Sequence, residues 1–268
     1  IDVLGEAAVS ETESEHYQRI YLELITSLSQ HARNWTPVEL CDRADGRDLP
    51  RVNVSVKLTS LYSQSDAIDP EGTKKWCKQR LRPLLREAMK YGAHLHIDME
   101  HYAIKDLTLE IAREIFLEPE FRDYPNFGVV LQAYLKDNDR DVDDMIAYAR
   151  QRGVPIWIRL VKGAYWDTET VLADQYHWPC PVFEQKWRPD ASYERATRRL
   201  LENWRYIHTA FGSHNVRSLA HALALKRMLE IPSWAFELQM LYGMGDPIKR
   251  ACVAMGERSR VYTPYGEL

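Results

Sequence analysis

Apolar positions along the chain recur in two alternating rhythms. Short runs rich in β-branched and aromatic residues give strand candidates at Ile1–Leu4, Val52–Leu58, Ala93–Met99, Gly128–Ala133, Ile156–Val161, Arg205–Ala210, Ala235–Met240 and Arg260–Tyr262. Longer amphipathic stretches between them read as helices: Glu11–Gln30, Gly72–Tyr91, Leu107–Phe116, Asp141–Gly153, Tyr193–Asn203, Val216–Leu229 and Pro247–Met255. Asp141 is placed to open one helix and Gly153 to close it. Strand followed by helix, repeated, predicts βα units and a parallel sheet. The pattern predicts one α/β domain over residues 1–268, a distorted (β/α)8 TIM-like barrel lacking the final helix after strand 8. An open doubly wound sheet has the same alternation. The first strand starts at the first residue, so the chain reads as truncated at both ends. Tyr176–Ser192 has no rhythm and is expected to be a loop too long for a plain connector.

Composition narrows the picture. A chain of 268 residues, 45% of them hydrophobic, can bury a sizeable core, and a net charge of −4 supplies no global basic field for nucleic acid or membrane. No apolar run approaches a membrane span. Cys41, Cys77, Cys180 and Cys252 lack metal-finger or CxxC spacing, so a reduced, cytoplasmic setting is expected. Ile1 is not an initiator, and no signal peptide is visible.

In α/β folds ligands bind beyond the carboxyl ends of the strands. Polar residues gather at those ends here: Lys57, then Asp98 and Glu100, Gln132 and Tyr134, Arg159 and Lys162, His214 and Asn215, Gln239 with Leu241 and Tyr242, and Tyr262. Arg159 stands amid Ile, Leu and Val, where an unpaired guanidinium would be very costly. Lys57, Arg159 and Lys162 call for anions, phosphate or carboxylate. Gln132, Gln239 and Asn215 offer amides for the edge of a heteroaromatic ring, and Tyr165, Trp166, Tyr262 and Leu241 offer apolar walls. That inventory suits a nucleotide-bearing aromatic cofactor better than a phosphosugar, although no Rossmann or P-loop glycine motif is present. Two rivals remain. His96 and Asp98, with His94, His208 or His214, could hold zinc in a barrel hydrolase. Lys57 or Lys162 could form a Schiff base, which Asp98 beside Lys57 opposes.

The strand-end motifs, in this order, resemble the proline dehydrogenase domain of bacterial bifunctional proline utilization A (PutA) flavoenzymes. The likeness runs from Val3-Leu-Gly-Glu6 through Ser55-Val-Lys57-Leu, Asp98-Met-Glu100, Val130-Leu-Gln132-Ala-Tyr134 and Arg159-Leu-Val-Lys162-Gly163-Ala-Tyr165-Trp166-Asp167. It continues through Ser213-His214-Asn215, Phe236-Glu-Leu-Gln239-Met-Leu241-Tyr242 and Val261-Tyr262-Thr-Pro264. The resemblance implies a distorted barrel holding non-covalent FAD and oxidising L-proline to Δ1-pyrroline-5-carboxylate. Hydride would pass from proline C5 to flavin N5, and electrons onward to a quinone. It further implies fusion to an aldehyde dehydrogenase domain, no nucleic-acid contact, and a cytoplasmic protein peripheral to the membrane when it reduces quinone.

Matched residue by residue, Gln132, Arg159, Lys162, Gly163, Tyr165, Trp166, His214, Asn215 and Gln239 fall on flavin-contacting positions. Lys57 falls on the partner of the substrate carboxylate, Asp98 on its neighbouring carboxylate, and Tyr165, Leu241 and Tyr262 on walls around the pyrrolidine ring. Lys57, Asp98 and Arg159 are therefore the expected catalytic set. No residue stands out as base for the proline amine.

The chain departs from the family in three ways. An Arg-Arg pair and a Tyr on the helix after strand 8 have no counterpart before Leu268, and Arg198-Arg199 lies between strands 5 and 6 instead. Glu6 is left without the arginine it would pair. Glu184 stands where other members have Thr. A non-catalytic flavin-binding core is thus the alternative to an active dehydrogenase.

Overall fold

The computed structural model describes residues 1–4 and 7–266; Glu6 lies outside them. Its elements run β1 (Asp2–Val3), α1 (Glu11–Ala32), α2 (Glu39–Asp42), β2 (Arg43–Ala44), β3 (Arg47–Asp48), β4 (Asn53–Val56), α3 (Pro70–Tyr91), β5 (His94–Ile97) and α4 (Lys105–Ile115). They continue β6 (Phe127–Gln132), α5 (Asn138–Arg152), β7 (Ile156–Val161), α6 (Trp166–Tyr176), α7 (Trp187–Glu202), β8 (Ile207–Gly212), α8 (Val216–Met228), β9 (Phe236–Leu241), α9 (Asp246–Ala254), β10 (Ser259–Tyr262) and β11 (Pro264–Tyr265).

Nine strands follow the order β10-β9-β8-β7-β6-β5-β4-β1-β11. The ladders of β1 with β4 and β11, β4 with β5, β5 with β6, and β7 through β10 are all parallel. Thr263 alone separates β10, paired to β9, from β11, paired to β1. This is the parallel α/β barrel class that the alternation predicts. Strands covered on both faces need near-continuous apolar runs, and β7 has that form, five of its six residues being buried.

The chain divides into two compact units. One comprises Ile1–Asp42, Asp48–Val129 and Thr263–Leu268; the other comprises Arg43–Arg47 and Val130–Tyr262. In the first, Val54, Val56, Leu81, Leu84, Leu95 and Ile97 are completely buried. There α1 opens with a reciprocal cap, Glu13 N–H donating to Ser10 Oγ and Val9 N–H to the Glu13 carboxylate. In the second unit Ile158, Leu160, Phe211 and Leu238 fill the core.

Three expectations change. Residues 166–176 form α6, unforeseen because only Glu169 and Ala173 along it are buried, which leaves almost no apolar rhythm. The segment 176–192 is not loop throughout. α7 starts at Trp187, with Pro189 tolerated in its first turn, and Val182 pairs with Leu135 in an isolated antiparallel bridge. Asp141 does not open its helix. α5 begins at Asn138, and Asp141 is a buried residue in its first turn, while Gly153 closes the helix with φ 77° as expected.

Candidate active site

In the first unit, register brings two predicted residues together. Val56 pairs with Ile97, and Asp98 N–H donates to Val56 O at 2.9 Å, so Lys57 and Asp98 emerge side by side from β4 and β5. Lys57 Nζ donates to Asp2 Oδ1 at 2.5 Å and to Val3 O at 3.4 Å. Asp2, unflagged by sequence reasoning, is therefore the close carboxylate partner of this lysine. Tyr21 lies beneath, its hydroxyl 3.4 Å from both Lys57 N and Ser60 Oγ. Burial pushes that phenol well above its ordinary range, and the Asp2 and Asp98 charges push the same way. Glu100 is also buried, which raises its carboxyl. Hydrogen bonds from Thr59 Oγ1 at 2.5 Å and Thr59 N–H at 3.3 Å, with the Lys57 charge, offset part of the rise.

The second unit assembles most of the remaining predicted residues. Arg159, on β7, is 6% exposed, and its Nε donates to Gln239 Oε1 at 2.7 Å. Gln239 Nε2 donates in turn to Glu237 Oε1 at 2.7 Å. Glu237 accepts both forks of Arg260, at 2.7 and 2.9 Å, with Arg258 Nε 3.4 Å away. Burial opposes ionisation of Glu237, but Arg260 and Arg258 outweigh it and hold the carboxyl down to about 2. The Arg159 guanidinium lies 5.1 Å from the centre of the Tyr262 ring.

Gln132 ends β6, buried. Just beyond it, Ala133 N–H and Tyr134 N–H donate to Val161 O and Lys162 O at 2.8 and 2.7 Å. Gly163 has φ 136°, and a Cβ there would lie 2.4 Å from the Tyr134 ring, so only glycine fits against that ring. Lys162 Nζ donates to Asp190 Oδ1 at 2.5 Å, and burial of Asp190 is outweighed by Lys162 and Lys186, which lower its carboxyl. Tyr165 caps α6, and Trp166 Nε1 donates to Phe183 O at 3.0 Å. His214 Nε2 accepts from Leu241 N–H at 3.0 Å, which places the proton of the neutral ring on Nδ1. That buried Nδ1 has no hydrogen-bond partner. Asn215 Oδ1 caps α8 by accepting from Ser218 N–H at 3.0 Å, so its carbonyl end is already engaged. Leu241 and Tyr262 are paired in register on β9 and β10.

A sequence profile of the proline dehydrogenase family matches residues 1–268. The chain belongs to the proline dehydrogenase family. It is 28% identical to the bifunctional protein PutA of Klebsiella aerogenes, over 99% of this chain and 20% of that one. It is 31% identical to proline dehydrogenase 2 of Bacillus subtilis, over 80% of this chain and 61% of the relative. A crystal structure of PutA from Bdellovibrio bacteriovorus inactivated by N-propargylglycine superposes with a TM-score of 0.97 and 49% identity, over all of this chain and 28% of that one. The chain thus spans about a fifth of the length of the curated PutA relatives.

Against this family background the zinc reading loses its geometry. His94 Nε2 and His96 Nδ1 are 2.7 Å apart and bonded to each other, closer than two nitrogens on one tetrahedral zinc, which lie about 3.3 Å apart. No group of three or more candidate ligands occurs among the described residues. Both Schiff-base candidates are ion-paired, Lys57 to Asp2 and Lys162 to Asp190. No helix among the described residues is long and apolar enough to cross a membrane.

Sequence reasoning missed Asp2, Tyr21, Glu237, Arg258 and Arg260. The signal for the last three was present: a glutamate on the Gln239 face of an apolar strand, and two arginines sharing one face of the next.

Proposed function

We propose that this proline dehydrogenase family chain is a flavin-binding catalytic barrel, one domain across residues 1–268, that oxidises L-proline to Δ1-pyrroline-5-carboxylate. The observation that carries the reading is the buried Arg159, braced through Gln239 to Glu237 and facing Tyr262. Bound FAD would supply the two-electron acceptor, taking hydride from proline C5 at flavin N5 before a quinone reoxidises it.

The donor set fits such a group. Arg159 would present a permanent cation where a reduced ring carries charge. Gln132, Gln239 and the unpartnered His214 Nδ1 are polar groups for the ring and its substituents. Lys162, the exposed backbone at Gly163, Tyr165, Trp166 and Asn215 would line the rest of the cofactor. Lys57, oriented by Asp2 and neighboured by Asp98, would hold the proline carboxylate, and Tyr165, Leu241 and Tyr262 would enclose the pyrrolidine ring. Positioning would then supply most of the acceleration. No side chain is assigned as base for the proline amine; solvent can take that proton.

Anaerobic addition of L-proline should bleach the visible flavin absorbance of the purified protein, and N-propargylglycine should inactivate it. A protein that loads FAD but shows no proline-dependent bleaching would be the non-catalytic flavin-binding core instead. Quinone turnover, attachment to vesicles and fusion to an aldehyde dehydrogenase domain are separate parts of the reading, tested on the intact protein.

A further inference from the structure

We propose that Glu237 is a positioning residue: its buried carboxylate fixes which way the Gln239 amide points and thereby pins Arg159. The inference rests on the flavin reading only for its consequence, not for its geometry. Gln239 lies between a guanidinium, which can only donate, and a carboxylate, which can only accept. One amide orientation satisfies both, with oxygen toward Arg159 and nitrogen toward Glu237. The flipped orientation would set two donors face to face at one end and two acceptors at the other. Glu237 is itself immobilised by the bidentate fork of Arg260 and by Arg258. A carboxamide at 237 would remove the bias, because its own oxygen and nitrogen can exchange places. All three links are buried, Arg159 at 6%, Gln239 at 4% and Glu237 at 2% exposure, so water cannot substitute for a lost partner.

Two measurements on the intact protein decide the matter. The first needs no cofactor. The Arg159 Nε–H, held by Gln239, should give a slowly exchanging signal in nitrogen–proton spectra. Glu237→Gln should speed its exchange at least tenfold. Glu257→Gln, which breaks the partly buried Lys226–Glu257 pair in the same unit, should leave it unchanged. The second uses FAD-loaded protein. Glu237→Gln should lower the flavin midpoint potential by about 30 mV, the equivalent of tenfold weaker relative binding of the reduced ring in a two-electron couple. Simple deletion of a buried negative charge would raise the potential instead. In an Arg159→Lys background the same substitution should shift the potential by less than a third as much, since nothing remains to be pinned.

An unchanged Arg159 signal, a raised potential, or an equal shift in both backgrounds overturns the proposal. If Glu237→Gln does not fold, Glu237→Asp keeps the charge, shortens the reach and should show the same faster exchange. Failure of the wild type to bind FAD would sink the flavin reading, and the Arg159 signal would still decide this one.

Discussion

Lys57 and Arg159 are both cations at the carboxyl end of a buried strand, yet their surroundings differ in kind. Lys57 carries a compact charge on a flexible stem and meets its close carboxylate, Asp2, at 2.5 Å, with both side chains partly exposed at 16% and 12%. Arg159 is planar and deep, and it is braced through an amide to a carboxylate that two more arginines grip. An ammonium has three donors, so Lys57 can keep Asp2 and still meet an incoming carboxylate at the edge of solvent. The braced guanidinium cannot move without breaking its buried hydrogen bond to Gln239, whose amide is itself held by Glu237. The lysine corner suits a ligand that comes and goes, and the arginine corner one that stays.

Glu237→Ala should be the most damaging change, because it leaves Arg258 and Arg260 without their shared counter-charge. A loss of about 3–5 kcal/mol in urea unfolding is expected, and a loss below 1 kcal/mol would contradict the bracing. Acid should act on the same corner. The folded Glu237 carboxyl titrates at about 2 rather than the ordinary 4.5, so below pH 4.5 the unfolded chain binds the proton first and stability falls toward pH 2. The full contribution, on the order of 3 kcal/mol, is present above pH 4.5. Glu100 has the opposite sign. Its raised carboxyl favours the folded state at low pH and loses that advantage as pH rises past the ordinary carboxylate value. Stability of wild type and Glu237→Gln measured from pH 2 to 6 should show the acid limb flattened in the variant.

Smaller effects sharpen the lysine side. Lys57→Met should raise the KM for proline at least tenfold, about 1.5–3 kcal/mol of charged hydrogen bonding, with FAD content unchanged. Loss of FAD instead would place Lys57 on the cofactor. Gly163→Ala should cost about 1–3 kcal/mol in thermal or urea unfolding, through the φ it must adopt and the ring it meets. Asp2→Asn should be the mildest, raising the KM for proline two- to fivefold, since the lysine loses only one partly exposed partner.

How much of this was legible depended on where each signal lives. β7 was found with its exact bounds because Ile156–Val161 is an apolar run broken on both sides, and such runs advertise themselves. Arg159 and Gln132 stand out as polar residues flanked by apolar neighbours, and Gln239 as one of the polar strand-end residues. Glu237 stood in the same strand and was passed over, because its significance comes from Arg258 and Arg260, and only strand register brings those together. Asp2 was hidden for a like reason: it lies 55 residues from Lys57, and no local pattern joins them. α6 escaped because its face is mostly solvent, so periodicity had nothing to record. Local signals were readable; pairings across the sheet were not.

The β2–β3 hairpin bears on a different question, the order in which the chain can fold. Residues 43–47 belong to the second unit although their sequence neighbours on both sides belong to the first. Arg47 stacks 3.8 Å from the centre of the Trp234 ring, and Asp45 accepts from Ser233 N–H across 188 residues of sequence. β1 likewise waits for β11, at the other end of the chain. Neither unit can therefore close before residue 262 has been synthesised. Such long-range closure slows folding and prolongs exposure of unpaired strand edges. A covalent cross-link between positions 45 and 233, formed in the native state, should accelerate refolding by shortening that closure.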